Sequence, residues 1–142
     1  MEQLKFENQV CFPLYAASRT VTAAYRPLLE KLGLTYPQYL VLLLLWETKA
    51  LTVKQLGEKL WLDSGTLTPL LKRMEKKGLI RRERSKADER VVDILLTDAG
   101  VQLRRKAAKV PGQLLDELRM DAQELMTLKL LLNKIVDHVE PR

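Results

Sequence analysis

The chain of 142 residues contains one cysteine, Cys11, one histidine, His138, and only two phenylalanines. A single cysteine has no partner for an intrachain disulfide, and one cysteine with one histidine falls short of the usual zinc frameworks, so no metal and no other cofactor is expected. A βαβ alternation, a phosphate-cradling glycine loop and a Ser/His/Asp arrangement are also missing, which removes the common sequence signatures of an enzyme. The longest unbroken apolar run, Leu40 to Trp46, has seven residues, where a membrane span needs about 20. It reads as a buried helix. The first nine residues carry acids and no apolar stretch with a small-residue cleavage site, so a secretory signal is not expected and a cytoplasmic location is.

Basic charge is present in excess, and its placement is informative. Lys and Arg number 24 against 18 Asp and Glu, a net charge of +6. From Thr48 to Val92 there are 12 basic and 6 acidic residues, so the whole excess lies in the middle third and the flanks sum to zero. A basic segment between neutral flanks is the footprint of a nucleic-acid-binding unit on a neutral scaffold; a merely solvated face would mix both signs.

The hydrophobic pattern then gives the elements in order. Val10, Leu14, Ala17, Val21, Ala24 and Leu28 follow the 4-3-4-3-4 spacing of a heptad seam, on a helix expected from about Glu7 to Lys31 and stopped by Gly33. Pro13 falls inside this pattern, so either a kink lies there or the regular helix begins near Phe12. Thr35-Tyr-Pro-Gln38 and Thr52-Val-Lys-Gln55 are capping boxes. The first opens an apolar helix to about Trp46. The second opens a short helix with Val53, Leu56 and Leu60 on one side, and the turn Trp61-Leu62-Asp63 leads into another helix ended by Gly78. Within it Leu67, Leu70, Leu71 and Met74 face inward.

Ile80–Arg84 and Val91–Leu96 read as two strands joined by the polar loop 85–90. Thr97 caps a further helix from Asp98, bent near Pro111-Gly112, and Asp121-Ala-Gln-Glu124 opens a last one. There Leu125, Leu128, Leu132, Ile135 and Val139 form a second heptad seam. The expected fold is mainly α with a small β-hairpin wing (α+β): one domain, 1–142. It holds a winged helix-turn-helix at about 35–97, with N- and C-terminal helices, about 7–33 and 98–140, forming a dimerisation region. The two terminal seams are able to pack on each other within one subunit; a shared interface in a homodimer is favoured, since neither terminal helix has enough core of its own.

In a helix-turn-helix the second helix enters the major groove with its N-terminal residues nearest the base edges. Those are Ser64, Gly65, Thr66, Thr68 and Pro69, with Lys72, Arg73 and Lys76 placed for phosphates. Ser64 and Asp63 are both good helix caps, so Ser64 has a capping reading beside the contact reading. At the wing tip Lys86 and Arg90 reach toward backbone or minor groove, and Asp88 orients Arg90.

The segments Cys11-Phe-Pro-Leu-Tyr15, Leu34-Thr-Tyr-Pro-Gln-Tyr39, Leu62 to Glu75 and Asp88-Glu-Arg90 resemble the MarR family of transcription regulators, specifically its organic-hydroperoxide-sensing repressors. The resemblance covers nearly the whole chain. It implies a dimeric repressor of palindromic double-stranded operator DNA, without a membrane partner. It further implies that Cys11 is the redox-sensing thiol at the dimer interface, and that Tyr25 and Tyr36, from the partner subunit, hydrogen-bond to it. Tyr15 also matches at that site, while Tyr15 and Tyr39 each have a second reading as core residues with a polar handle.

Taken by itself, Cys11 reads as a small buried hydrophobe. With the matching tyrosines it reads as a sensor: a thiolate attacks an organic hydroperoxide, and the resulting sulfenic acid condenses with a low-molecular-weight thiol, cyclises or over-oxidises. A thiol peroxidase, a regulator released by a small phenolic or carboxylate ligand, and a protein-interaction module with a vestigial helix-turn-helix are the competing readings.

Overall fold

A computed structural model describes residues 1–139. After two single-turn 3-10 segments, the chain forms α1 (Cys11–Glu30), α2 (Tyr36–Thr48), β1 (Ala50–Thr52), α3 (Val53–Leu60), α4 (Ser64–Lys76), β2 (Ile80–Arg84), β3 (Val92–Leu96), α5 (Asp98–Ala107), α6 (Val110–Leu118) and α7 (Ala122–His138). The expected C-terminal region ends at residue 140, outside the described residues. Among the described residues no helix is long and apolar enough to cross a membrane.

Local chemistry sets the boundaries. Both capping boxes form: Thr35 with Gln38 opens α2, and Thr52 with Gln55 opens α3. The first helix begins at Cys11 rather than near Glu7, because the 3-10 turns at Glu2–Leu4 and Phe6–Asn8 are held by their own bonds, with Asn8 Nδ2 donating to the Glu2 carbonyl at 2.7 Å and Gln9 Nε2 to the Lys5 carbonyl at 2.8 Å. Pro13 thereby falls in the first turn of α1, where its missing N–H has no intrahelical partner to lose. The expected bend near Pro111 is instead a break: α5 stops at Ala107, and α6 starts at Val110 with Pro111 in its first turn.

The sheet has three strands, not the two of a simple hairpin. All are antiparallel, in the order β1-β3-β2, with Leu51 opposite Ile94 and Arg82 opposite Ile94 on the other side. Leu51, Ile80 and Ile94 turn into the core with Leu29, Val41, Leu42, Leu45, Leu56, Leu67, Leu71 and Met74. The core therefore belongs to α2, α3, α4 and the sheet. In contrast α1 contributes only Leu29 in full, and α7 has no buried residue.

Where α5 leaves the sheet, the backbones approach closely. Thr97 Oγ1 donates to the Gly78 carbonyl at 2.6 Å and accepts the Gly100 N–H at 3.1 Å, while Trp46 Nε1 donates to the Gly100 carbonyl at 2.8 Å. A Cβ on Gly100 would press into the Leu79 carbonyl and stand 2.9 Å from Leu96 Cδ2. Gly100→Ala is therefore expected to destabilise by about 1–3 kcal/mol, the range of a forced overpacking. Gly112→Ala, with nothing within 4 Å of the added carbon, is expected to be neutral or slightly stabilising. Urea unfolding of the two variants measures the difference.

Candidate DNA interface and thiol site

Asp63, not Ser64, caps α4, the expected reading helix: Thr66 N–H donates to Asp63 Oδ1 at 2.7 Å, and this bond holds the Asp63 carboxyl below its ordinary range. Ser64 is the first helical residue, exposed and free of the capping task. Gly65, Thr66, Pro69, Lys72, Arg73 and Lys76 are exposed as well, and Thr68 is half-buried at the edge of the same face. Leu67, Leu70, Leu71 and Met74 fill the opposite face.

The reading helix is fixed to the wing by one carboxylate. Glu75 accepts the Arg82 N–H at 3.1 Å and the Arg82 Nε at 3.2 Å, and these bonds lower the pKa of Glu75. At the wing tip Asp88 accepts from the Arg90 backbone at 3.0 Å and from its guanidinium at 3.2 and 3.3 Å. Asp88 thus holds an arginine whose side chain is 91% exposed, and its own pKa is lowered by those bonds. Lys86, on the same loop, is exposed.

Between α3, α4 and the wing runs a groove of about 680 Å³ that brings together Ser64, Thr68 and Arg90 with Lys54 and Arg82. Lys54 is absent from the residues expected above. The second capping box places it in the first turn of α3, the helix that crosses the DNA backbone in this motif, and that signal was sufficient to find it. Among the described residues Lys54, Lys72, Arg73, Lys76 and Lys86 make no ion pair, so their charge is not neutralised within the chain.

Cys11 is exposed, as the first residue of α1, where no side chain caps the free N–H groups. It lines an apolar groove of about 620 Å³ between the two heptad seams, with Leu14, Ala17 and Val21 on α1 and Leu128, Leu132 and Ile135 on α7. Tyr36 borders this groove; Tyr25 and Tyr15 do not. Tyr15 is exposed, with the Arg19 guanidinium 5.6 Å from its ring centre.

Tyr25 instead packs on Tyr36, ring centres 4.6 Å apart, and on Tyr39 at 5.7 Å, with Trp46 behind at 6.4 Å from Tyr39. Tyr39 is buried, matching its reading as a core residue. Burial, then the neighbouring phenols of Tyr36 and Tyr39, push the Tyr25 pKa up to about 12, and burial raises Tyr36 and Tyr39 as well. These phenols are proton donors at any physiological pH. The chain thus brings Tyr25 and Tyr36 together, and leaves Cys11 at the far end of α1 from Tyr25.

Residues 23–106 match the family described as transcriptional regulator SarA/Rot. The chain is 54% identical, over 96% of its length and 92% of the relative's, to the organic hydroperoxide resistance transcriptional regulator of Bacillus subtilis. Among solved structures, reduced AbfR bound to DNA superposes with a TM-score of 0.80 at 37% identity, covering 96% of each chain; AbfR is a protein of Staphylococcus epidermidis. The reduced form of MarR from E. coli gives a TM-score of 0.74 at 28% identity, covering 89% of this chain and 96% of that one.

Two outcomes follow from the geometry. Asp63→Ala should lower the melting temperature while Ser64→Ala leaves it unchanged, read by thermal unfolding, because only Asp63 bonds the helix start. Between the ordinary tyrosine pKa of 10.0 and about 12, the folded chain holds a Tyr25 proton that the unfolded chain has released. Stability therefore falls as pH rises through that window. Tyr25→Phe should make the fall shallower, measured as the urea midpoint at about pH 9 against about pH 11.

Proposed function

Because the chain belongs to the MarR-type family of winged-helix transcriptional regulators, in its SarA/Rot group, we propose that it is a dimeric DNA-binding repressor whose Cys11 is oxidised by organic hydroperoxides, and that oxidation releases its operator. The observation that carries the reading is that one chain holds its one thiol, exposed at an uncapped helix start, together with a helix-turn-helix whose Lys54, Lys72, Arg73 and Lys76 make no ion pair among the described residues.

DNA recognition rests on α4 and the wing. Ser64, Gly65, Thr66, Thr68 and Pro69 meet base edges or phosphates, Lys72, Arg73 and Lys76 hold the backbone, and Lys86 and Arg90, the latter held by Asp88, reach the adjacent groove. Two copies read a palindromic site with half-site centres roughly one helical turn apart. The apolar seams of α1 and α7 are the surfaces that join them.

For the redox step, a thiolate at the N-terminus of α1 sits at the positive end of the helix dipole. Its sulfur attacks the terminal oxygen of the hydroperoxide, the O–O bond breaks, and the alkoxide leaves and takes a proton to become the alcohol. Cys11 is left as a sulfenic acid. A low-molecular-weight thiol then condenses with it, giving a mixed disulfide and water. In the dimer Tyr25 and Tyr36 of one copy donate hydrogen bonds to the thiolate of the other, and a bulky adduct displaces them.

Inverting a two-state population from about 1:99 to 99:1 takes roughly 5.5 kcal/mol. Disrupted packing supplies such a difference more readily than one added oxygen. AbfR has been solved on DNA in reduced and also in overoxidised form, and separately with a disulfide formed, which supports assigning release to the adduct rather than to oxygenation.

The test is fluorescence anisotropy on the DNA upstream of the protein's own gene. The reduced protein should bind with a log-log salt slope of about −0.9 per phosphate contact. Stoichiometric organic hydroperoxide plus a small thiol should release the wild type and leave Cys11→Ser bound. Release of both proteins, or of neither, would contradict the one-cysteine switch, and repeated peroxide turnover would mark a peroxidase instead.

A further inference from the structure

Lys77 follows the last residue of the reading helix, and although it is exposed its ammonium is engaged by two acceptors. It donates to the Gly33 carbonyl at 2.6 Å and to Gln38 Oε1 at 3.0 Å. Gly33 is the left-handed residue, φ +70°, that follows the end of α1, and Gln38 lies in the first turn of α2 with only 2% of its surface exposed. The same Gln38 Oε1 accepts the Thr35 N–H at 3.1 Å, and Thr35 Oγ1 accepts the Gln38 N–H at 3.4 Å. Tyr36 stands inside that capping box. One charged side chain thus joins three points: the end of α1, the turn of α2 that carries Tyr36, and the end of α4.

We propose that Lys77 is a positioning residue, a latch that couples the placement of Tyr36 to that of the reading helix, and that it does not contact phosphate. The coupling part rests on the reading of Tyr36 as part of the thiol site. Hydrogen bonds with an ionised donor are shorter and about twice as strong as neutral ones, and the bond to Gln38 meets a side chain that the fold buries. A shift of the first turn of α2 carries Gln38 with it, and Lys77 passes that shift to the C-terminal end of α4. The neighbouring Lys72, Arg73 and Lys76 make no ion pair and no side-chain hydrogen bond among the described residues, so Lys77 differs from its neighbours in what it does.

The coupling is read as the ratio of operator Kd after oxidation, with hydroperoxide and thiol, to that before, in wild type, Lys77→Met, Gln38→Met, Gln38→Glu and the Lys77→Met/Gln38→Met double variant. Site-to-site couplings span about 5–150-fold. The wild-type ratio should fall by about tenfold in Lys77→Met and equally in Gln38→Met, with no further loss in the double variant, and Gln38→Glu, which keeps the acceptor, should retain it. The reduced Lys77→Met protein should keep the wild-type salt slope.

A slope reduced by about 0.9 per subunit would make Lys77 a phosphate contact, and a wild-type ratio in Lys77→Met would show that the bond transmits nothing. Either overturns the latch while the redox switch stands. A wild type that stays on DNA after oxidation overturns the redox reading, and the coupling with it; the salt slope still decides what Lys77 touches.

Discussion

A single copy of this chain leaves the apolar seams of its first and last helices in water. On α7, Leu128 and Ile135 of the seam and Met126, Leu130, Leu131 and Val136 beside it are each at least 40% exposed, and on α1 so is Leu14. Burying one such side chain fully is worth roughly 1.5–3 kcal/mol, so the free surface is a strong drive to associate, and the proposed dimer is its outcome. The same constraint places the thiol. Cys11 and Tyr25 lie 14 residues apart on one helix, about 21 Å at 1.5 Å per residue. In the proposed dimer they meet when α1 of a second copy runs alongside and brings its own Cys11 to Tyr25 of the first.

The rest of the molecule is built to move as a block. Core leucines from α2, α3 and α4 close on the sheet, Glu75 bonds the reading helix to β2, Trp46 bonds α2 to α5, and Thr97 bonds α5 to the turn after α4. None of these links is at the thiol. In the proposed switch a change at the tyrosines therefore has little room to be absorbed locally. Packed interiors answer strain in this way because they are near close-packed.

Much of this was legible in the residues because caps announce themselves. Thr35, Thr52, Thr97 and Asp121 each start a helix as their side chains predict, and the wing strands sit within one residue of their expected bounds. β1 was not legible: three residues between two helices show no period, and its existence depends on β3 lying beside it. Asp63 and Ser64 are equally good caps on paper, and only the backbone geometry separates them. Tyr15 shares a helix face with Cys11 by spacing, but Arg19, one turn further on, draws against its ring. Lys77 carries no signal in the sequence, since the groups it bonds are 39 and 44 residues away.

The central claim is that each thiol site is completed by two copies, and a mixed dimer tests it most directly. One subunit carries Cys11→Ser with its tyrosines intact; the other keeps Cys11 but carries Tyr25→Phe and Tyr36→Phe. Sites shared between subunits leave one complete site per dimer, so the remaining thiol should react with an organic hydroperoxide at the wild-type rate and half the stoichiometry. A rate equal to that of the Tyr25→Phe/Tyr36→Phe homodimer would show that each thiol depends on the tyrosines of its own chain, and would contradict the account.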